Sequence, residues 1–395
     1  MSALGYGTTD GWALDPRFVH LNHGSFGAVT TAVAAAQEEL RRRALGRPVS
    51  WFASQAERVG PARESVCELL AIPRDAGALV LNASAAASVV FSSLPLGAGD
   101  EVLLSDHVYG AVAMGAQRWA RRAGASLVTV SIPLSCTDDE VVARFEAGVS
   151  PRTRVLLVDQ ISSHTARAFP TARLAAAMRE RGVITVVDGS HAPGLVPEPF
   201  AASGADLWFG NLHKWWCAPP GAAVMASRPE FADLLWPVID SWGGASPYPQ
   251  RFDFVGTADV TAWLVAGDAF RQLDAELGWP GIREHLARTV AAGARVVADA
   301  LTDATGEPAV VDIPSPALSM RLVRLPGRLG ATHAEVDSYR APMSELTGLE
   351  CGFGTFGGVG YLRLSAHVYN GPDDYQAFAE RGVPLLVRWA RQKGN

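Results

Sequence analysis

Lysine is almost absent from this chain: two residues, Lys214 and Lys393, stand against 32 arginines. So strong a preference, with abundant Ala and Gly, reads as compositional bias, and a lysine kept in the interior of the sequence stands out. Arginine reproduces its charge but does not lose a proton to give an amine nucleophile. Cysteine is scarce too. Cys67, Cys136, Cys217 and Cys351 are scattered without metal-ligand spacing and read as reduced thiols. No uncharged apolar stretch approaches about 18 residues, so no membrane span is expected. The first ten residues lack a basic start followed by an apolar run, so no signal peptide is expected. Excess positive charge is also missing: the formal net charge is −6, which argues against a general nucleic-acid binder. A hydrophobic content of 48% with 19% charged residues describes a packed globular chain. At 395 residues it exceeds one ordinary core. The expected class is a soluble cytoplasmic enzyme of two domains.

Short apolar runs alternate with helical patterns. The runs 78–81, 101–104, 126–130, 154–158, 184–187, 206–209 and 222–225 read as buried strands, mostly bounded by Gly, Pro, Asp or Ser. Helices are expected between them, over 112–123, 138–147 and 171–181. Strands separated by helices imply a mostly parallel sheet covered on both faces, an α/β fold. Near Gly281 the texture changes. A long Ala- and Arg-rich helix over 282–301 leads to an α+β segment with strands near 319–323 and 361–365. This pattern predicts a large domain over residues 18–280 and a small one formed by 1–17 and 281–395.

One strand ends at Asp188, in Asp188-Gly189-Ser190-His191-Ala192-Pro193-Gly194, and ligands of open α/β sheets bind beyond the carboxyl ends of strands. Twenty-six residues later, just after the next strand, comes Asn211-Leu212-His213-Lys214. Alone, Asp188 reads as a turn or cap residue and Lys214 as a surface lysine. Together they form the pair that pyridoxal phosphate needs. The amine holds the cofactor aldehyde as a Schiff base. The acid keeps the pyridine nitrogen protonated, so that the ring withdraws electrons. A decoy lies at Gly352-Phe353-Gly354-Thr355-Phe356-Gly357, which satisfies G-x-G-x-x-G. It leads into a strand instead of linking strand to helix, so it fails as a dinucleotide fingerprint. The basic cluster 39–43 has neighbouring acids and reads as a solvated helix face.

The motifs Leu21-Asn22-His23-Gly24-Ser25, Val187-Asp188-Gly189-Ser190-His191-Ala192-Pro193-Gly194, His213-Lys214-Trp215 and Tyr361-Leu362-Arg363-Leu364-Ser365 resemble the class V aminotransferase group of fold-type I pyridoxal-phosphate enzymes. Within that group the chain looks most like the isopenicillin N epimerase-like family. The resemblance implies a seven-stranded type of sheet with a smaller C-terminal domain. It makes Lys214 the Schiff-base lysine and Asp188 the pyridine partner, and it places His191 near the ring hydroxyl. His213 and Asn211 face the phosphate, with the Asn82-Ala83-Ser84 loop. Tyr109 stacks on the ring and Ser163 lies beside it. The usual Ser-His start of that last segment is here Asp159-Gln160. Gly256 and Thr257 reach the phosphate of a neighbouring subunit, so a homodimer with shared sites is implied. Arg363 holds the substrate α-carboxylate, because a guanidinium offers two parallel donors. Asn22, His23 and Ser25 line the substrate pocket.

From such a site several reactions follow once a bond at the α-carbon of an amino acid is loosened. Loss of a β-thiolate gives C–S lysis, loss of CO2 leads to decarboxylating oxidation, and return of the proton to the opposite face gives epimerisation. The resemblance extends to natural-product (antibiotic) enzymes acting on S-conjugated cysteines. That favours lysis or decarboxylating oxidative deamination over epimerisation. A non-catalytic binding protein on the same fold is the reading from another class. Phe26, Trp51, Trp216 and Trp242 are candidates for the pocket wall or for core, and Trp215 and Trp216 for pocket wall or domain interface.

Overall fold

A computed structural model describes residues 4–394; residues 1–3 and 395, which belong to the expected small domain, lie outside the described residues. Two compact units form. The larger comprises Val29–Ser162 and Ala168–Gln272. The smaller takes the chain up to Ala28, the short stretch Ser163–Arg167, and Leu273 onward. The boundaries expected at 17/18 and 280/281 thus shift. Val19–His20 pairs in parallel with Leu349–Glu350, and Leu21 O accepts from Ser365 N, which ties this stretch into the smaller unit. Leu4 N donates to Glu276 Oε2 at 2.8 Å, which ties in the residues before Gly278.

The larger unit is built on a seven-stranded sheet: β1 (Gly77–Val80), β2 (Glu101–Ser105), β3 (Ser126–Val130), β4 (Thr153–Asp159), β5 (Ile184–Asp188), β6 (Leu207–Asn211) and β7 (Ala223–Ser227). Its order is β1-β7-β6-β5-β4-β2-β3, and β7 alone runs against the others. Successive side chains alternate faces. Leu156, Val158, Val187, Trp208 and Val224 enter one core layer, and Val155, Leu157, Val186, Phe209 and Met225 the other. Burial on both faces is why these strands read as continuous apolar runs. Helices α1 (Ala83–Ser93), α2 (Gly110–Ala123), α3 (Asp138–Gly148) and α4 (Thr171–Arg179) lie between strands along the chain. Thr137 and Glu140 form a capping box at the start of α3.

In the smaller unit, α5 (Trp279–Thr305) is longer than the Ala/Arg pattern suggested, running from Gly278 to a left-handed Gly306. It packs with a three-stranded antiparallel sheet of β8 (Met320–Arg324), β9 (Gly352–Phe356) and β10 (Val359–Ser365). The G-x-G-x-x-G decoy is β9 and the start of its hairpin turn. Gly357 and Gly358 both take positive φ, as a two-residue turn joining antiparallel strands requires. Among the described residues no helix is long and apolar enough to cross a membrane.

The loop after β5 is fixed by Gly194. Its φ is +87°, and a Cβ there would stand 2.7 Å from Trp215 O. Gly194→Ala combines a left-handed alanine with a backbone clash and should destabilise the chain by about 2–4 kcal/mol. Denaturant unfolding measures this, and an unchanged midpoint would refute the close approach.

Candidate active site

Three neighbouring strands of the larger unit end in polar residues. Asp188 closes β5 and is 2% exposed. Its Oδ1 accepts from Ser190 N at 2.9 Å and from Ser190 Oγ, whereas Oδ2 is buried with no hydrogen-bond partner. Asp159 closes β4 in register with Asp188, is equally buried, and also carries an unpartnered Oδ2. Its carboxyl accepts the backbone N–H of Tyr109. Burial, then the charge of Asp188, pushes Asp159 well above the usual carboxylate range. Burial raises Asp188 too, against the bonds from Ser190 and the charge of Lys214. Two charges this close and this dry repel, so Asp159 is driven toward the neutral acid.

Asn211 closes β6, and its Oδ1 accepts from Ala83 N at 2.9 Å. Asn82 caps the same helix, α1, by accepting from Ala85 N at 2.8 Å. The N–H of Ser84 sits between these two capped donors at a position that has no acceptor within the helix. Asn82 and Ser84 are exposed, and the helix dipole adds partial positive charge there. After Asn211 the chain folds back on itself: Leu212 N donates to Ala222 O, Ala218 N to Leu212 O, and Cys217 N to Lys214 O. Cys217 takes a φ of +62°, rare for a residue with a side chain. This tight loop carries Lys214, whose Nζ lies 3.0 Å from His191 Nε2. His213 Nδ1 lies 3.2 Å from Ala222 O, and burial, then Lys214, lowers its pKa to about 4. Tyr109 is half-exposed at the start of α2.

The smaller unit contains a second cluster. Arg363, on β10, is 7% exposed. Its Nη1 donates to Ser163 O and Oγ at 2.6 and 2.9 Å, and its Nη2 to Asn22 Oδ1 and Ser25 Oγ at 3.0 and 2.5 Å. These neutral acceptors orient the fork without adding negative charge. Gly352, opposite Arg363 in the hairpin, leaves the room: a Cβ there would stand 2.8 Å from Asn22 Oδ1 and 3.4 Å from Arg363 Nε.

A family model described as aminotransferase class-V matches residues 28–300. The chain belongs to the class-V aminotransferase family. It is 31% identical over 392 residues to isopenicillin N epimerase of Amycolatopsis lactamdurans, which covers 93% of this chain and 95% of that one. It is 29% identical over 405 residues to a probable chloroplastic L-cysteine desulfhydrase of Arabidopsis thaliana, covering 95% and 84%. Among solved structures, the cystine C-S lyase C-DES in complex with cysteine persulfide superposes with a TM-score of 0.76 at 17% identity, covering 93% and 98%. That likeness supports the expected fold, a mostly parallel sheet with flanking helices and a smaller C-terminal part.

Pyridoxal 5'-phosphate is the cofactor of this class-V enzyme, and the larger unit fits it. Asp188 has a buried oxygen to spare for a ring nitrogen, the start of α1 has an N–H for an anion, and Lys214 has an amine that would bond the cofactor aldehyde. The other expected residues have varied surroundings. Ser163 lies in the smaller unit and is bonded to Arg363, where it helps orient the guanidinium. Ala83 N and Asn211 Oδ1 are spent on each other. His23 is fully buried, 2.8 Å from Tyr369 Oη and stacked on His367, whereas Asn22, also buried, and the half-buried Ser25 accept from Arg363. Thr257 is exposed, next to a left-handed Gly256. Trp51 and Trp216 are buried, and Trp216 Nε1 donates to Ala266 O, whereas Phe26 and Trp242 are exposed. The sequence marks Asp159 only as a departure from the usual Ser-His and assigns it no role. Its signal was available, an acid at the end of the strand next to that of Asp188.

His213 makes a pH prediction. Its folded pKa of about 4 lies below its ordinary 6.5, so the unfolded chain holds the proton more tightly. Its contribution to stability is therefore full above about pH 6.5 and is lost as pH falls toward 4, by at most about 3 kcal/mol. His213→Gln should flatten this acid limb in denaturant titrations of the full chain. Equal slopes for the two proteins would contradict a buried neutral ring.

Proposed function

We propose that this enzyme cleaves the Cβ–S bond of an S-conjugated cysteine, of natural-product origin, by β-elimination. The observation that carries the reading is the Lys214–His191 pair. Epimerisation by two bases needs a second group opposed to the lysine, and the histidine at hand is bonded to Lys214 itself. Elimination needs one base and a leaving group. The relatives named for cysteine desulfhydrase activity support the same chemistry.

When bound, the cofactor supplies an electron-accepting ring that stabilises negative charge at the substrate α-carbon. Asp188 would hold the ring nitrogen in its protonated form. Ser84 N–H and the start of α1 would bind the phosphate. His213 would join them once it takes up a proton, because its Nδ1–H is given to Ala222 O and the neutral ring then has only a lone pair to offer. Arg363, held in place by Asn22, Ser25 and Ser163, would exchange some of the bonds its Nη1 and Nη2 give them for bonds to the substrate carboxylate. Lys214 takes the α-proton, and the Cβ–S electron pair leaves with sulfur, which is then protonated. The enamine that is released hydrolyses to pyruvate and ammonia.

Cysteine S-conjugates should therefore yield pyruvate, ammonia and thiol in equal amounts. Lys214→Ala should lower the rate at least about a hundredfold. Borohydride reduction should fix the cofactor on the peptide containing Lys214. Exchange of the α-proton with solvent deuterium, without those products, would point to the epimerase reading that the Amycolatopsis relative favours. Carbon dioxide release with oxygen uptake would point to decarboxylating oxidation.

A homodimer accompanies this reading. Residues 234–242 of the larger unit expose Trp236, Val238, Ile239 and Trp242, the last at 88%, a run of apolar surface that monomers seldom leave bare. Light scattering should give twice the chain mass. Ile239→Asp combined with Trp242→Ser should yield monomers, and a wild-type monomer would overturn the assignment.

A further inference from the structure

Trp215 carries an indole N–H, which is a donor and never an acceptor. Its Nε1 lies 3.2 Å from His191 Nδ1. A neutral imidazole has one N–H and one lone pair, and an imidazolium has two N–H groups. The bond from Trp215 requires the lone pair on Nδ1. That excludes the imidazolium and puts the ring proton on Nε2, the atom 3.0 Å from Lys214 Nζ. Nε2–H is therefore the donor and the lysine nitrogen the acceptor. An ammonium has no lone pair to accept with, so the arrangement selects the unprotonated nitrogen.

We propose that Trp215 is a positioning residue that fixes the tautomer of His191 and, through it, holds the nitrogen of Lys214 unprotonated. The inference rests on Lys214 as the cofactor-bearing amine for its consequence, but not for its geometry. The groups of the larger unit that act on Lys214 work in different directions. Asp188 attracts a proton to it. Asp159, driven toward the neutral acid, does not add to this charge. His213 is itself held neutral. His191 opposes Asp188 only while Trp215 sets its tautomer, because the other tautomer would accept from a protonated lysine and reinforce it. Burial of Trp215 shields the bond from water, which would otherwise compete for Nδ1.

The test has two parts. In nitrogen NMR of the full-length chain labelled at histidine, His191 should show an unprotonated Nδ1 and a protonated Nε2, with Trp215→Phe mixing the tautomers. His191 resonating as an imidazolium or as the Nδ1–H tautomer would overturn the proposal, whatever the role of Lys214. In the loaded enzyme, the pH midpoint of the visible absorbance reports protonation of the lysine–cofactor nitrogen. Trp215→Phe should raise that acid constant's pH by about 0.7, a fivefold change equivalent to one net hydrogen bond. In a His191→Gln background the glutamine amide has no tautomer to set, so Trp215→Phe should then leave the midpoint in place. An equal shift in both backgrounds would assign Trp215 a packing role only. If reduction attached the cofactor elsewhere than Lys214 while the tautomer held, the functional reading would fail and the geometry would stand.

Discussion

Two carboxyl groups buried side by side, Asp159 and Asp188, are the constraint around which the larger unit is arranged. A buried charge without a partner costs several kcal/mol, and two like charges cost more. The parallel sheet makes the juxtaposition unavoidable, because adjacent strands in register point their terminal residues the same way. The folded chain relieves it in part: Ser190 takes one oxygen of Asp188 and the Tyr109 amide reaches Asp159. One oxygen on each acid remains unbonded. The cost left over is what a protonated ring nitrogen beside Asp188 would remove, so the pocket holds part of its affinity for the cofactor as unsatisfied electrostatics.

Much of the larger unit was legible because its strands are buried on both faces and so appear as apolar runs ending in polar residues. That placed Asp188 at a strand end, and the scarcity of lysine singled out Lys214. What could not be read was how neighbouring groups use each other's capacity. Asn211 and Ala83 look like two phosphate contacts in sequence, and Asn211 Oδ1 accepts from Ala83 N, which leaves the Asn211 amide N–H groups as its donors. Gln160 replaces a residue usual at its position, and the consequence is structural: its amide oxygen accepts from Trp208 on the face away from Asp159. Trp215 reads in sequence as pocket wall or domain interface, and no sequence pattern shows that its indole N–H is aimed at His191.

The smaller unit was harder, since its strands pair across long separations. The boundary moved because two-residue strands at 19–20 and 349–350 are too short to leave a pattern. Likewise the glycine-rich decoy was rightly set aside as a nucleotide motif. Its first glycine acquires a purpose only when Arg363 and Asn22 are seen against it.

Arg363 is oriented by residues 22, 25 and 163, from two other widely separated parts of the chain. Contacts this non-local form only after their distant pieces have met, and a growing polypeptide emerges from its N-terminus. The sheet of the larger unit can assemble while synthesis continues. The guanidinium fork cannot be set until the final strands have left the ribosome. A nascent chain would thus be able to complete the sheet that ends in Asp188 before Arg363 meets the three residues that orient it.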